Sequence, residues 1–568
     1  MLPATTAGRW LAGRPALVPL PPRARCGTWA ARPGRGPLLP ARKPLPKFDP
    51  RPAIGYVEAP ADEASTEDGV ASEDETFQWT KNWYPIIPLD LLEESQGEGF
   101  ESGLPQIQRQ AILGRNIVLW KDAEGKWRAV EDRCSHRLAA LSLGSVQEDG
   151  TLACRYHGWC FNGKGECTRI PQAVDAASEA TACASSRSRV QAFPTTEAHG
   201  LLWVWPDDSP SAWEDASSAE PASGRVQGPE AKWGVVDVPV SYVTSVENVV
   251  DPSHANFAHE GQSFFGSKFS PRHNRTIDVF KALQRPSQKG GIHIQYTAPS
   301  KDDNGSIQET LFRPPTLTTI QLQPSGMPSD TSFELHWVPC RPGLTRTLFG
   351  ISSKPLKTST EEKASFSQKV VLAMKTFSLI FGLIQMKIVP KFLRHINEQN
   401  YISRQDMVTL HTEDLELFRS NRPWQQQFYL PTLSDVGVVN FRQWLTRFGG
   451  GGPKWYGGQS EKEAIENIKY SDLFNRWEQH SKYCATCRKT LKTLGFLESA
   501  LPKVAICLLG VSAALAAFRT AEPRMAVMAL VAAVLAMLGQ YWAQKIRSRL
   551  ITHVPSTGIP EFSLNWGS

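Results

Sequence analysis

Between residues 77 and 205 the apolar positions come in short runs broken by turn residues. Ile-Val-Leu-Trp at 117–120 and Trp-Arg-Ala-Val at 127–130 flank Asp122-Ala-Glu-Gly125, which predicts a hairpin. Leu-Leu-Trp-Val-Trp at 201–205 predicts a further strand. Strand-like segments return at 293–296, 316–322 and 332–338, enough for an antiparallel sheet in a second domain. Residues 366–395 are largely apolar with Lys369, Lys375, Lys387 and Lys391 interspersed, the pattern of one or two amphipathic helices serving as core or as a membrane-facing cover. Two nearly continuous apolar runs follow at 504–518 and 525–542. At ~1.5 Å per residue the second spans ~27 Å, about one thin bilayer core. The first is shorter and needs Leu501 and a snorkelling Lys503. The turn Arg519-Thr-Ala-Glu-Pro523-Arg524 makes the pair a helical hairpin, with Lys489, Lys492, Lys545, Arg547 and Arg549 at its open end. A soluble apolar hairpin is the competing reading.

At 568 residues, with 18 Trp and 25 Phe, the chain holds two or three folded domains. The net charge of +6 is unevenly placed. Residues 1–51 carry ten Lys and Arg against Asp49, a net of +9, so the remainder carries −3 (6 − 9) and no basic nucleic-acid surface is expected. The Arg-, Pro- and Ala-rich start reads as an organelle transit peptide over 1–51, with a disordered basic tail as the alternative. Residues 52–76 read as a disordered acidic linker, 206–232 as a flexible loop, and 449–500, with Gly449–Gly452, as a linker segment. A linker is favoured there over a phosphate loop because no strand precedes it and no Gly-Lys-Ser/Thr follows.

Two candidate metal motifs change the picture. Cys134-Ser-His136 and Cys154-Arg-Tyr-His157 each supply one thiolate and one imidazole from a loop. A [2Fe–2S] cluster with two thiolates on one iron and two imidazoles on the other needs this set, the Rieske arrangement. Zinc is the competitor, but zinc fingers order a cysteine pair before a histidine pair. Cys160, Cys167 and Cys183 lie close by; free buried thiols are expected in a reducing compartment, with a disulfide between two of them as the alternative. The second motif is Glu247-Asn-Val-Val-Asp251-Pro-Ser-His254-Ala-Asn-Phe-Ala-His259. Read as a helix, 247, 251, 254 and 258 share one face and His259 flanks it. Two such imidazoles are most of a two-histidine, one-carboxylate facial set for non-haem Fe(II), or else an unrelated pair of histidines.

Cys134-Ser-His136-Arg137-Leu-Ala, Tyr156-His157-Gly158-Trp159 and Ile170-Pro-Gln-Ala173, with Trp79-Thr-Lys-Asn-Trp83-Tyr-Pro85 upstream, resemble the chloroplast Rieske oxygenases. That group comprises pheophorbide a oxygenase, translocon-associated Rieske proteins and chlorophyllide a oxygenase. The resemblance covers about 77–490 and departs at Ser135, where the family usually has Pro. It implies an α+β chain: an all-β Rieske [2Fe–2S] domain at 77–205, then an antiparallel-sheet-and-helix mononuclear iron catalytic domain at 233–448. A transmembrane helical hairpin at 501–543 and a tail at 544–568 complete it. Carried over residue by residue, Cys134, His136, Cys154 and His157 hold the cluster. His254, His259 and Asp406 hold Fe(II), with Asn248 and Asp251 as catalytic partners. Glu398 and Asp414 are the local competitors of Asp406, and His411 is either a supporting residue or an ordinary helix histidine.

Cys484-Ala-Thr-Cys487 reads as a redox pair, as half of a metal site, or as structural thiols. The plastid subgroup carries such a pair here. By resemblance the chain inserts oxygen from O2 into a chlorophyll-derived tetrapyrrole, pheophorbide a first, protochlorophyllide or chlorophyllide a behind it. Ferredoxin supplies electrons, thioredoxin is a candidate partner, and the assembly is a homotrimer at a chloroplast membrane, thylakoid or inner envelope, facing the stroma. The alternative is a redox-sensing Rieske subunit of the inner-envelope import machinery.

Overall fold

A computed structural model of the chain describes residues 76–93, 107–260, 263–264, 267–268, 277, 279–298, 306–323, 329–355, 401–420, 422–517 and 523–552. The transit peptide and acidic linker expected over 1–76 lie outside this set except for Thr76, as do the amphipathic segment 366–395, Glu398, the turn residues 519–522 and the tail beyond 552.

The first domain is built from short antiparallel strands, as the broken apolar runs require. Gln108–Ile112, Arg115–Lys121, Trp127–Glu131 and Ala192–Phe193 pair in that order, with Trp127 opposite Lys121 across the Asp122–Gly125 turn. Leu201–Val204 sits between Tyr84–Pro88 and Thr195–Ala198. A smaller sheet, Ser145–Val146, Leu152–Ala153, Cys160–Phe161 and Cys167–Arg169, carries the loops of the first metal motif. Buried Trp120 joins the two layers by donating its indole N–H to the Gly150 carbonyl at 2.9 Å.

The second domain is a seven-stranded antiparallel sheet. Its spatial order is Gly234–Val238, Leu344–Pro355, Ser329–Arg341, Leu317–Gln323, Ser306–Arg313, Gly291–Ala298, Val279–Ser287. The last strand is an edge, alternately half-buried and exposed, and carries Lys281, Arg285 and Pro286, which blunt it against further pairing. Three helices accompany the sheet: Tyr242–Val250, Tyr401–Arg419 and Val436–Arg447. The helix at 242 starts where the Ser241 side chain accepts from the Thr244 N–H. It stops at Asp251, whose backbone is extended (φ −84°, ψ 114°). The expectation of one helix through 247–259 is therefore corrected. Pro252 disfavours the helical conformation of the residue before it and has no N–H to donate, so the chain turns and restarts as Ala255–Ala258.

Two segments expected as loose connections are folded instead. Within 206–232 the helix Ala212–Ser217 forms, and the carboxylate of buried Glu334 accepts the backbone N–H groups of Arg225 and Val226, pinning that stretch to the sheet. Residues 449–452 close the helix at 436–447 rather than link domains. Gly451 donates to the Leu445 carbonyl at 2.9 Å with φ +85°, and the Trp79 indole donates to the Gly449 carbonyl at 2.9 Å. Trp79 also meets Phe77, Tyr242 and Trp444 edge-on, so one aromatic core spans both domains.

The C-terminal helices Ala485–Ala517 and Pro523–Ile551 lie against each other, with Glu498 paired to Arg547 at 3.0 Å and Ser512 donating to the Ala526 carbonyl. Both are long and apolar enough to cross a membrane. Small Ala505, Ala533 and Ala536 form their contact, while Ile506, Met528 and Leu535 face outward, more than 60% exposed. The first helix begins at the Cys484–Cys487 segment, so the hairpin continues below its apolar part as a charged stalk.

One buried cation ties these parts together. Arg346 chelates Asp237 with Nε and Nη2 at 2.7 and 2.9 Å, donates Nη1 to the Ile86 carbonyl and Gln110 Oε1, and meets Tyr483 Oη at 2.7 Å. Asp237→Asn would leave that guanidinium buried without its counter-charge, and is expected to cost about 3–5 kcal/mol. Asp208→Asn, which breaks a half-exposed pair with Arg115, should cost about 0–1 kcal/mol. Denaturant unfolding of both variants in detergent checks the difference.

Candidate functional site

The two loops of the first motif have the same fold. Cys134 N–H donates to Ala139 C=O at 2.8 Å and Leu138 N–H to Cys134 C=O at 2.9 Å. Cys154 repeats this with Trp159 and Gly158 at the same distances. In each loop the residue four after the cysteine is left-handed, Leu138 at φ +62° and Gly158 at φ +73°. The geometry turns both thiols inward and both imidazoles outward. Cys134 and Cys154 belong to an apolar cluster with Trp120, Leu141 and Phe161, and burial pushes the Cys134 thiol up to about 11.

His136 and His157 stand with ring centroids 4.6 Å apart. Trp159 stacks on His136 at 4.6 Å and 2°, and Tyr156 lies 4.0 Å from the ring of His157. Two thiols and two imidazoles meeting from opposite loops, soft donors inside and nitrogen outside, suit a [2Fe–2S] group of mixed ligation.

The second centre forms around the helix break. His254 and His259 sit at the two ends of the short helix Ala255–Ala258, with ring centroids 5.6 Å apart. Asp406 comes in from Tyr401–Arg419, with Oδ2 3.4 Å from His259 Nε2. One ligand atom of each of the three lies within 4.8 Å of the others. Asn248 donates to Asp406 Oδ2 at 3.3 Å, and His254 Nδ1 lies 2.9 Å from the Asp251 carbonyl. A proton on Nδ1 would turn Nε2 toward the centre as a free donor.

Burial raises the Asp406 carboxyl to about 7, opposed by the Asn248 amide, and lowers His254. Both shifts express the cost of charge in a dry site, which a divalent cation offsets. Two neutral nitrogens and one carboxylate oxygen are the donor set of a non-haem Fe(II) centre with open positions.

The competitors of Asp406 separate on geometry. Asp414 is fully buried and spent on structure, accepting Ser241 N–H and Oγ, both at 2.7 Å, and Thr244 Oγ1. Glu247 is held by both nitrogens of an Arg442 fork. Glu398 lies outside the described residues. His411 is buried on the same helix as Asp406, but its Nδ1 has no hydrogen-bond partner among the described residues.

Cys484 and Cys487 gather with His480, ligand atoms within 4.8 Å, at the start of the long helix, and His480 Nδ1 meets the Val235 carbonyl at 3.0 Å. The i, i+4 spacing of His480 and Cys484 was the sequence signal for this third member. The role of Tyr483 had no such signal.

Comparison with known proteins now decides the family. The Rieske [2Fe-2S] domain family matches residues 83–194. Pheophorbide a oxygenase of Oryza sativa subsp. japonica is 31% identical over 452 residues, 75% of this chain and 76% of the relative. The chain belongs to the chloroplast Rieske-type non-haem iron oxygenases. Protochlorophyllide-dependent translocon component 52 of Arabidopsis thaliana is 28% identical over 74% of this chain and 75% of its own. Flavonoid 8-hydroxylase 2 of Ocimum basilicum is 26% identical over 83% and 84%.

A Rieske oxygenase works with a [2Fe–2S] cluster, a mononuclear iron, O2, an organic substrate and an electron donor. Chloroplastic relatives and two apolar helices together support a chloroplast membrane setting. In this oxygenase, Cys154→Ser is expected to abolish the cluster's visible absorption and its low-g resonance. Asp406→Ala should lower iron content to that of the cluster alone while leaving the cluster spectrum intact. Iron and sulfide analysis with electron paramagnetic resonance checks both.

Proposed function

We propose that this chain inserts oxygen from O2 into a chlorophyll-derived tetrapyrrole, with pheophorbide a the leading substrate and protochlorophyllide or chlorophyllide a behind it. The observation that carries the reading is the joint one: His254, His259 and Asp406 converge in a chain similar to pheophorbide a oxygenase over three quarters of its length. With Fe(II) at that centre and a cluster at Cys134, His136, Cys154 and His157, the bound groups supply electron storage and O2 activation.

The chain's own residues set the conditions. Asn248 orients the Asp406 carboxylate, and the Asp251 carbonyl orients the His254 ring. Near-complete burial of His259 and Asp406 keeps bulk water from the site until substrate enters. The apolar hairpin holds this site beside a membrane, where a large flat macrocycle partitions. Ferredoxin is the proposed electron donor, and the stromal side of the thylakoid or inner envelope the proposed location.

The Asp251 carboxylate is the proposed electron bridge to His157 of a neighbouring copy in a homotrimer. It is 30% exposed, 3.8 Å from His254 Nδ1, and held by the Ser253 N–H at 2.7 Å. A second reading is favoured by the similarity to a translocon component and by the Cys484–Cys487 pair: a redox-sensing import subunit whose thiols exchange with thioredoxin.

The assay is purified protein with reduced ferredoxin, isotope-labelled O2 and each pigment in turn. Label in a pheophorbide a product is the expected result; label from another pigment, or from a flavone, moves the substrate within the family. If nothing is oxidised while Cys484 and Cys487 cycle with thioredoxin, the import-linked reading replaces this one. Asp251→Asn should retain both metal centres yet nearly stop single-turnover electron transfer between them. Normal rates in that variant would remove the bridge.

A further inference from the structure

Three thiols of the Rieske domain stand outside the cluster set: Cys160, Cys167 and Cys183. Cys167 lies in the small sheet, buried in the same apolar cluster as Cys134 and Cys154. Cys183 is in the last turn of the surface helix Ala176–Ala184, which has no fully buried residue. Its inner face is Glu179 and Cys183, one turn apart and both half-buried. Glu179 accepts the Ile170 N–H at 2.7 Å, and Cys183 Sγ lies 3.5 Å from Cys167 Sγ. Both thiols are free. A disulfide needs ~2.05 Å, so closing about 1.5 Å would join them.

The pair is wired to the cluster loop. The Cys183 carbonyl accepts Ser188 Oγ at 2.9 Å, and the Ser188 carbonyl accepts Ser135 Oγ at 2.7 Å. Ser135 stands between Cys134 and His136. Two hydrogen bonds through one buried serine thus connect the thiol helix to the segment that presents the cluster's first two ligands.

We infer that Cys167 and Cys183 form a reversible dithiol–disulfide site for peroxide, and that its state is transmitted through Ser188 and Ser135 to the cluster loop. The inference rests on the Rieske reading of Cys134 and His136 only in its transmission step. Half-buried Cys183 is the thiol a small oxidant reaches. Its sulfur attacks hydrogen peroxide, forming S–O and breaking O–O, and one water leaves. Cys167 sulfur then attacks the Cys183 sulfenic acid, forming S–S and breaking S–O, and a second water takes the Cys167 proton. Two thiols lose two electrons and two protons, and one peroxide becomes two waters. Hydrogen peroxide is what O2 becomes on gaining two electrons and two protons, so a protein handling both meets this oxidant. A thiol reductant reverses the step.

The test uses reduced, cluster-loaded full-length protein in detergent with stoichiometric hydrogen peroxide. Free thiols are then alkylated and the non-reduced digest read by mass spectrometry. A Cys167–Cys183 cross-linked peptide that disappears with dithiothreitol is expected, together with a shift of the cluster's resonance or midpoint potential. Cys183→Ser and Cys167→Ser should each lose both effects. Ser135→Ala should keep the cross-link and lose the shift. Alkylation of both cysteines after peroxide, or loss of cluster absorption before any cross-link forms, overturns the site. A cross-link with an unmoved cluster signal overturns the transmission. Cluster absorption in untreated protein reports separately whether the Rieske reading itself holds.

Discussion

The structure turns on Arg346. A guanidinium has five N–H donors and no way to shed its charge. Here all five are used: two on the Asp237 carboxylate, two on Ile86 C=O and Gln110 Oε1, one on Tyr483 Oη. Tyr483 in turn donates to Asp237 Oδ2 at 2.7 Å, so the carboxylate that neutralises the charge is itself fixed. Each partner comes from a different part of the chain. Ile86 and Gln110 belong to the Rieske domain, Asp237 and Arg346 to neighbouring strands of the catalytic sheet, and Tyr483 to the segment just before the hairpin. Lysine could not replace it, because three donors on a flexible stem cannot serve four fixed groups.

Around that knot the chemistry is sorted by burial. The first motif keeps its thiols in the apolar interior and its imidazoles at the surface, where Trp159 and Tyr156 support the rings. A cluster held there would have its histidine side, not its thiolate side, nearer to solvent. The second motif reverses this: His259 and Asp406 are almost wholly covered, and only His254 and Asp251 keep partial exposure. The less buried pair, Asp251 and His254, flanks the break at Pro252, whereas His259 and Asp406 are covered.

Much of this was legible in the sequence because the signals were local. Alternation marked the hairpin at 117–130 and the strands of the large sheet, and apolar length marked the two terminal helices. The paired Cys and His of two short loops are brought together as their spacing predicts. Reading failed once on a local signal given too little weight, and otherwise where the deciding partner was distant. The spacing in 247–259 suggested one continuous helical face, yet Pro252 overrode it. Gly449–Gly452 looked like a linker because the group that holds Gly449, the Trp79 indole, lies 370 residues earlier. Only the family resemblance ranked Asp406 above Asp414, since both lie on one helix and their local pattern does not separate them. Only the fold shows that Asp414 is consumed at the N-terminus of the helix Tyr242–Val250.

Ser135 shows how a departure from a family pattern can be compensated. A proline between the first cysteine and histidine would stiffen the loop by fixing φ. Serine restores no such restriction, but its hydroxyl reaches the Ser188 carbonyl, so the loop is held by a tether instead of a ring. Covalent stiffness is indifferent to its surroundings; a hydrogen bond is only as firm as the segment that accepts it. Ser188 is itself set by the end of the helix Ala176–Ala184, through the Cys183 and Ser185 carbonyls. Exchanging proline for serine therefore makes the geometry of the cluster's first loop depend on the placement of a surface helix, a dependence that a proline loop does not have.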